Sequence, residues 1–206
     1  SEILYTCVFS EEEIYEDLIQ RILNRETNVY YSLENTKDNK LALWDGFYNY
    51  ASDEYMESGI YVNNYTEDAV YYGEYDNEQQ AQKVEFEFKY IYSEQEMKAY
   101  DRKIDTIVKN LNKGSDYEKV KATHDYICEC IDYDDTLTNY DDYKGIMEGS
   151  TVCQGYAMAF YRLMTEMDIP CRIVSGTADG GSHAWNIVKM DGEWYNVDVT
   201  WDDEDM

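Results

Sequence analysis

Residues 182–201 read SHAWNIVKMDGEWYNVDVTW. Two strand-like runs flank Asp191-Gly192, and Asp-Gly between alternating runs signals a two-residue type I′ hairpin. With Met190 facing Glu193, Trp185 falls opposite Asp198 and His183 opposite Thr200. His183 and Asp198 then project from one face as diagonal neighbours about 7–8 Å apart between backbones, within side-chain reach. Ala184, Val188 and Met190 with Tyr195, Val197 and Val199 make the other face apolar enough to be core. The His183 face is left to turn toward whatever carries a nucleophile.

Upstream, residues 149–164 read GSTVCQGYAMAFYRLM. Tyr156, Phe160, Leu163 and Met167 recur at helical spacing, so a helix starts near Thr151 or Val152 and Cys153 lies in its first turn. Backbone N–H groups at a helix start have no partner within the helix and favour negative charge. A thiol held there gains thiolate character and becomes nucleophilic at neutral pH. A histidine beside a carboxylate is fixed in one tautomer and favoured as imidazolium, which is what a thiolate partner requires. Cys153 as nucleophile, His183 as base and Asp198 as the group that orients the ring reproduce the logic of a catalytic triad. The competing reading of each residue alone is a small core cysteine or a strand histidine bound to a structural aspartate. His124, the other histidine, lies in the stripe Val120, Ile127, Ile131 and reads as a packed helical residue.

The chain has 206 residues, enough for one substantial domain or a domain with a smaller companion. Its formal charge of -27, from 44 acidic against 17 basic residues, gives no footprint for nucleic acid or an anionic membrane surface. No run has the length of a membrane span. Opening on Ser1 without a signal-like segment reads as a processed or trimmed protein, and ending at WDDEDM leaves room for further strands beyond Met206. Five cysteines, an odd number, leave at least one thiol free or paired between chains. Cys128 and Cys130, two apart on a helix, point in different directions and do not grip one metal ion. Acidity and tyrosine richness fit an extracellular or cell-surface protein.

Toward the N-terminus, Ser10 and Glu13 read as a capping box opening a helix whose apolar face is Ile14, Leu18, Ile19 and Ile22. In VEFEFKYIY, Val84, Phe86, Phe88, Tyr90 and Tyr92 alternate with Glu85, Glu87 and Lys89 as in a half-buried strand. Fifteen of the 23 tyrosines fall in the first hundred residues, which marks residues 1–98 as a helix-plus-strands subdomain with an aromatic core. Asn64-Tyr65-Thr66 matches a glycosylation sequon. Ile104, Ile107, Val108 and Leu111 mark a further helix, so helices precede strands in residues 99–206. The fold class is α+β.

From about Tyr117 to Asp203 three segments resemble, in order, the transglutaminase-like superfamily. VKATHDYICECIDYDD resembles the helix before the active site, GSTVCQGYAMAFYRLMTEMDIPCRIVSG the nucleophile helix and the next strand, and SHAWNIVKMDGEWYNVDVTWDD the hairpin of histidine and aspartate. The resemblance implies a papain-like transglutaminase core, helices packed on an antiparallel sheet, beside an N-terminal α/β subdomain. It implies Cys153, His183 and Asp198 as catalytic residues, with attack of the thiolate on an amide carbonyl to give a thioester. Gln154, Trp185 and Trp201 are the candidate substrate-binding residues, and the Cys153 backbone N–H is a candidate oxyanion donor. The reaction needs no cofactor and no metal, and no calcium loop of the EF-hand type is present. The expected partner is a protein or peptide substrate. Hydrolysis by a peptidase or amidase leads, with protein cross-linking and a non-catalytic surface binding module as the alternatives.

Overall fold

Val84, Phe86 and Phe88 are all buried, while Glu87 and Lys89 beside them are exposed, the period-two pattern of a strand with one face on a core. The structure is a computed structural model describing residues 5–7, 11–33, 66–75, 81–178 and 180–203. Ser10 of the expected capping box and Asn64 of the sequon lie outside the described residues. The chain divides into two compact units, Ser1–Ser93 and Glu94–Met206.

The first unit holds β1 (Thr6–Cys7), α1 (Glu11–Leu23), β2 (Asn28–Ser32), β3 (Thr66–Tyr75) and β4 (Ala81–Tyr90), with the strands in the order β1-β2-β4-β3. β1 runs parallel to β2; the other pairs are antiparallel. α1 buries Ile14, Leu18, Ile19 and Ile22, the stripe read from the sequence. The Tyr31 hydroxyl donates to Asp17 at 2.8 Å, and Arg21 donates to the same carboxylate at 2.8 Å, tying helix to sheet. Tyr90 is half-buried at the end of β4, and Tyr92 is buried just beyond it.

In the second unit α2 (Glu94–Leu111) buries Ile104 and Ile107, and α3 (Asp116–Cys130) is opened by a capping box of Ser115 and Glu118. The two-residue strands β5 (Asp132–Tyr133) and β6 (Ser150–Thr151) pair in parallel across a loop and a π turn at 144–148. α4 (Cys153–Glu166) follows at once, with Val152 as its N-cap. Tyr156, Phe160, Leu163 and Met167 are buried as their spacing predicts. Among the described residues no helix is long and apolar enough to cross a membrane.

The sheet that positions the site is β7 (Cys171–Ala178), β8 (Gly181–Met190) and β9 (Glu193–Val197), antiparallel throughout. Asp191 and Gly192 both take positive φ, 52° and 87°, as a type I′ turn requires. Met190 pairs with Glu193 and the register holds to Asn186 opposite Val197. There the expected ladder stops. Asp198 leaves the strand and becomes the N-cap of a single helical turn, α5 (Val199–Asp202), so the Trp185–Asp198 and His183–Thr200 cross-strand pairs do not form. The reason is local: Asp198 accepts from the Trp201 backbone N–H at 3.4 Å, the side-chain capping that lets aspartate compete with a strand ladder. Trp201 is therefore a helical residue, not a strand tryptophan.

Candidate active site

Along β8, Ala184, Asn186 and Val188 are buried and His183, Trp185 and Ile187 are only half-buried. The buried set faces α4: Asn186 Nδ2 donates to the Ala157 carbonyl at 3.0 Å and to Arg172 O at 3.2 Å. This corrects the expected orientation, because α4 packs on the face opposite to His183. An asparagine in an otherwise apolar stripe was the available signal, since a polar group at a core position needs partners.

His183 and Asp198 nevertheless meet. His183 Nε2 lies 2.7 Å from Asp198 Oδ2, and the imidazole side chain is only 8% exposed. Asp198 thus uses one oxygen to hold the ring and the other to cap α5. In a neutral imidazole, an Nε2–H donating to this carboxylate leaves the lone pair on Nδ1, the nitrogen able to take up a proton. Two indoles cover the imidazole: Trp185 stacks at 5.8 Å between ring centroids and 18° between planes, and Trp201 lies at 5.4 Å and 38°. Trp185 is pinned by its Nε1–H to Asn196 Oδ1 at 3.1 Å. Gly176, opposite His183 on β7, makes room for that ring, because a Cβ there would lie 2.8 Å from Trp185 Cη2. Trp201 stays 52% exposed.

Cys153 is the first residue of α4 and is half-buried, and Gln154 beside it is also half-buried. Val152 supplies no side-chain cap to the first N–H groups of the helix. Two hydrogen bonds tie the first turns of α4 to β8 and to the segment just past α5. Ala157 is bonded to Asn186, three residues along β8 from His183, and the Tyr156 hydroxyl lies 2.9 Å from Asp203 Oδ2, just past α5. The imidazole is hydrogen-bonded to Asp198 and makes no hydrogen bond to the Cys153 thiol. None of the five cysteines is in a disulfide. His124 shares the stripe of Val120 and Ile127 but reaches Asp125 at 3.2 Å and Asp202 at 3.3 Å.

The loop that runs from β5 back toward α4 is organised by Asp134, a buried residue that periodicity does not single out. Its carboxylate accepts from the backbone N–H groups of Thr136 at 3.0 Å, Thr138 at 2.9 Å and Asn139 at 2.8 Å, and from both threonine hydroxyls. Hydrogen bonds, the Thr136 hydroxyl first, hold this carboxyl well below the usual carboxylate range. A folded-state pKa below the unfolded value of about 3.9 adds stability that is complete above that pH and lost as pH falls beneath it. The urea midpoint of the wild type is therefore expected to fall more steeply between about pH 4 and 2 than that of Asp134→Asn. Parallel profiles would remove this role.

Residues 105–199 match the family profile described as Transglutaminase-like superfamily. Kyphoscoliosis peptidase of Mus musculus is 31% identical over 105 residues, covering 42% of this chain and 16% of that protein. Its Homo sapiens counterpart is 30% identical over 118 residues, covering 48% and 18%. The chain thus spans less than a fifth of the length of these relatives. A crystal structure of a TGase is 14% identical with a TM-score of 0.47, covering 95% of this chain and 59% of that one.

Proposed function

We propose that this chain, whose residues 105–199 belong to the transglutaminase-like superfamily, is a thiol acyl-transfer enzyme that hydrolyses an amide bond in a peptide or protein. The observation that carries the reading is the His183–Asp198 pair at 2.7 Å, held on the strand and segment to which the Cys153 helix is tied. Cys153 Sγ attacks the carbonyl carbon as its proton passes to His183 Nδ1. The amide nitrogen takes that proton as the C–N bond breaks, leaving a thioester. Water then adds to the thioester, giving its proton to Nδ1, and the acid departs as the thiol is restored. Asp198 holds the ring throughout, and the two indoles screen it from water.

Thiol labelling tests this. Iodoacetamide followed by peptide mapping is expected to modify Cys153 faster than Cys7 or Cys130, although those two are exposed and Cys153 is half-buried. Cys128 is the slow control, its thiol pushed up to about 11 by burial and by the carboxylates of Asp203, Asp202 and Asp125. Equal rates at Cys153, Cys7 and Cys130 would overturn the assignment of the nucleophile. Offering peptide and amine together then separates release of the free acid, as proposed, from amine transfer.

A further inference from the structure

Attack on an amide carbonyl leaves negative charge on oxygen, and the Cys153 N–H supplies one donor to it. We propose that the Tyr133 hydroxyl is the second donor of the oxyanion hole, an inference that rests on the acyl-transfer reading above. Tyr133 is placed by strand pairing rather than by proximity in sequence. It lies opposite Thr151, two residues before Cys153, in the parallel β5–β6 ladder. Asp132 N–H donates to Gly149 O at 2.8 Å and Asp134 N–H to Thr151 O at 3.0 Å, so the backbone is fixed on both sides of it.

The ring leans on the helix face that carries the nucleophile. Its centroid is 6.5 Å from that of Tyr156, and Tyr156 is three residues after Cys153, hence on the same face one turn along. Tyr133 is half-buried, and its hydroxyl bonds to no described residue. Tyr156 differs: its hydroxyl is occupied by Ile131 O at 2.8 Å and by Asp203. Burial first, and then the neighbouring Cys153, pushes the Tyr133 phenol up, so it remains an O–H donor at neutral pH. The ladder bonds of Asp132 and Asp134 fix the backbone that carries the donor before the charge develops, which is the condition under which such donors stabilise a transition state most. The O–H donates a hydrogen bond to the oxyanion; no proton is transferred and no bond to carbon forms or breaks at this residue.

The test is Tyr133→Phe in the full chain, which keeps the ring and removes only the hydroxyl. The expected result is a fall in kcat of about 10²- to 10³-fold with KM and iodoacetamide labelling of Cys153 within about twofold of wild type, because alkylation forms no oxyanion. Affinity for a peptide aldehyde, whose hemithioacetal oxygen occupies the same place, should drop in parallel. A kcat within about threefold of wild type, or labelling slowed as much as turnover, would overturn the proposal. A wild type that is neither hydrolytic nor bound by the aldehyde overturns the acyl-transfer reading itself, and this role with it.

Discussion

With His183 replaced by alanine, amide hydrolysis is expected to fall about 10²- to 10⁴-fold, the range that a positioned general acid–base supplies. Labelling of Cys153 should slow in the same variant, since the imidazole that draws its proton is gone. Combining His183→Ala with Cys153→Ala should be no worse than Cys153→Ala alone, because residues that act as a unit are not additive. Asp198 separates orientation from folding. Asp198→Asn retains an oxygen to cap α5 while weakening the hold on Nε2–H, so turnover falls with little change in Tm. Asp198→Ala loses the cap as well, which costs roughly 0.5–2 kcal/mol of stability. If His183→Ala hydrolyses as fast as wild type while circular dichroism shows both folded, the imidazole is not the base.

Gly155→Ala is expected to be the most damaging small substitution in the second unit. A Cβ at this position would lie 1.9 Å from Thr151 Oγ1, 2.6 Å from Thr151 Cγ2 and 2.7 Å from Asp141 O. Thr151 cannot simply rotate away. It is fully buried, and its hydroxyl donates toward Asn139 O at 3.0 Å and Asp141 O at 3.1 Å. Alanine favours a helix over glycine by about 1 kcal/mol, but overpacking of about 1–3 kcal/mol, with the Thr151 bonds disturbed besides, outweighs it. The double variant Thr151→Ala/Gly155→Ala should lose less than the sum of the two single losses, because removing Oγ1 and Cγ2 vacates the space the new methyl needs. Recovery stays partial while Asp141 O remains in contact. Additive losses in urea melts would show that the clash is relieved by some other movement.

The elements differ in how far they were legible. The stripe Tyr156, Phe160, Leu163, Met167 gave the nucleophile helix and put Cys153 in its first turn, where the structure starts that helix. Residues 84–88 gave β4 through strict alternation. Asn186 shows only as a polar break in the apolar stripe of β8, and Gly176 and Asp134 are not legible in the sequence because their roles depend on partners remote in sequence or on loop geometry, neither of which leaves a period. Tyr133 escaped for the same reason: a two-residue strand has no pattern of its own.

Taken alone, the sequence determined the hairpin register, since a type I′ turn at Asp191-Gly192 leaves one way to pair the strands that follow, and it determined that His183 and Asp198 would share a neighbourhood. The tertiary structure decided how they meet. Asp198 gave up the ladder to cap α5, Trp201 swung into a helical turn over the imidazole, and α4 settled on the opposite face of β8 through Asn186. Turn chemistry acts over a few bonds and is written in neighbouring residues. The side of a sheet that a helix covers follows from the balance of burial and hydrogen bonding across the whole unit.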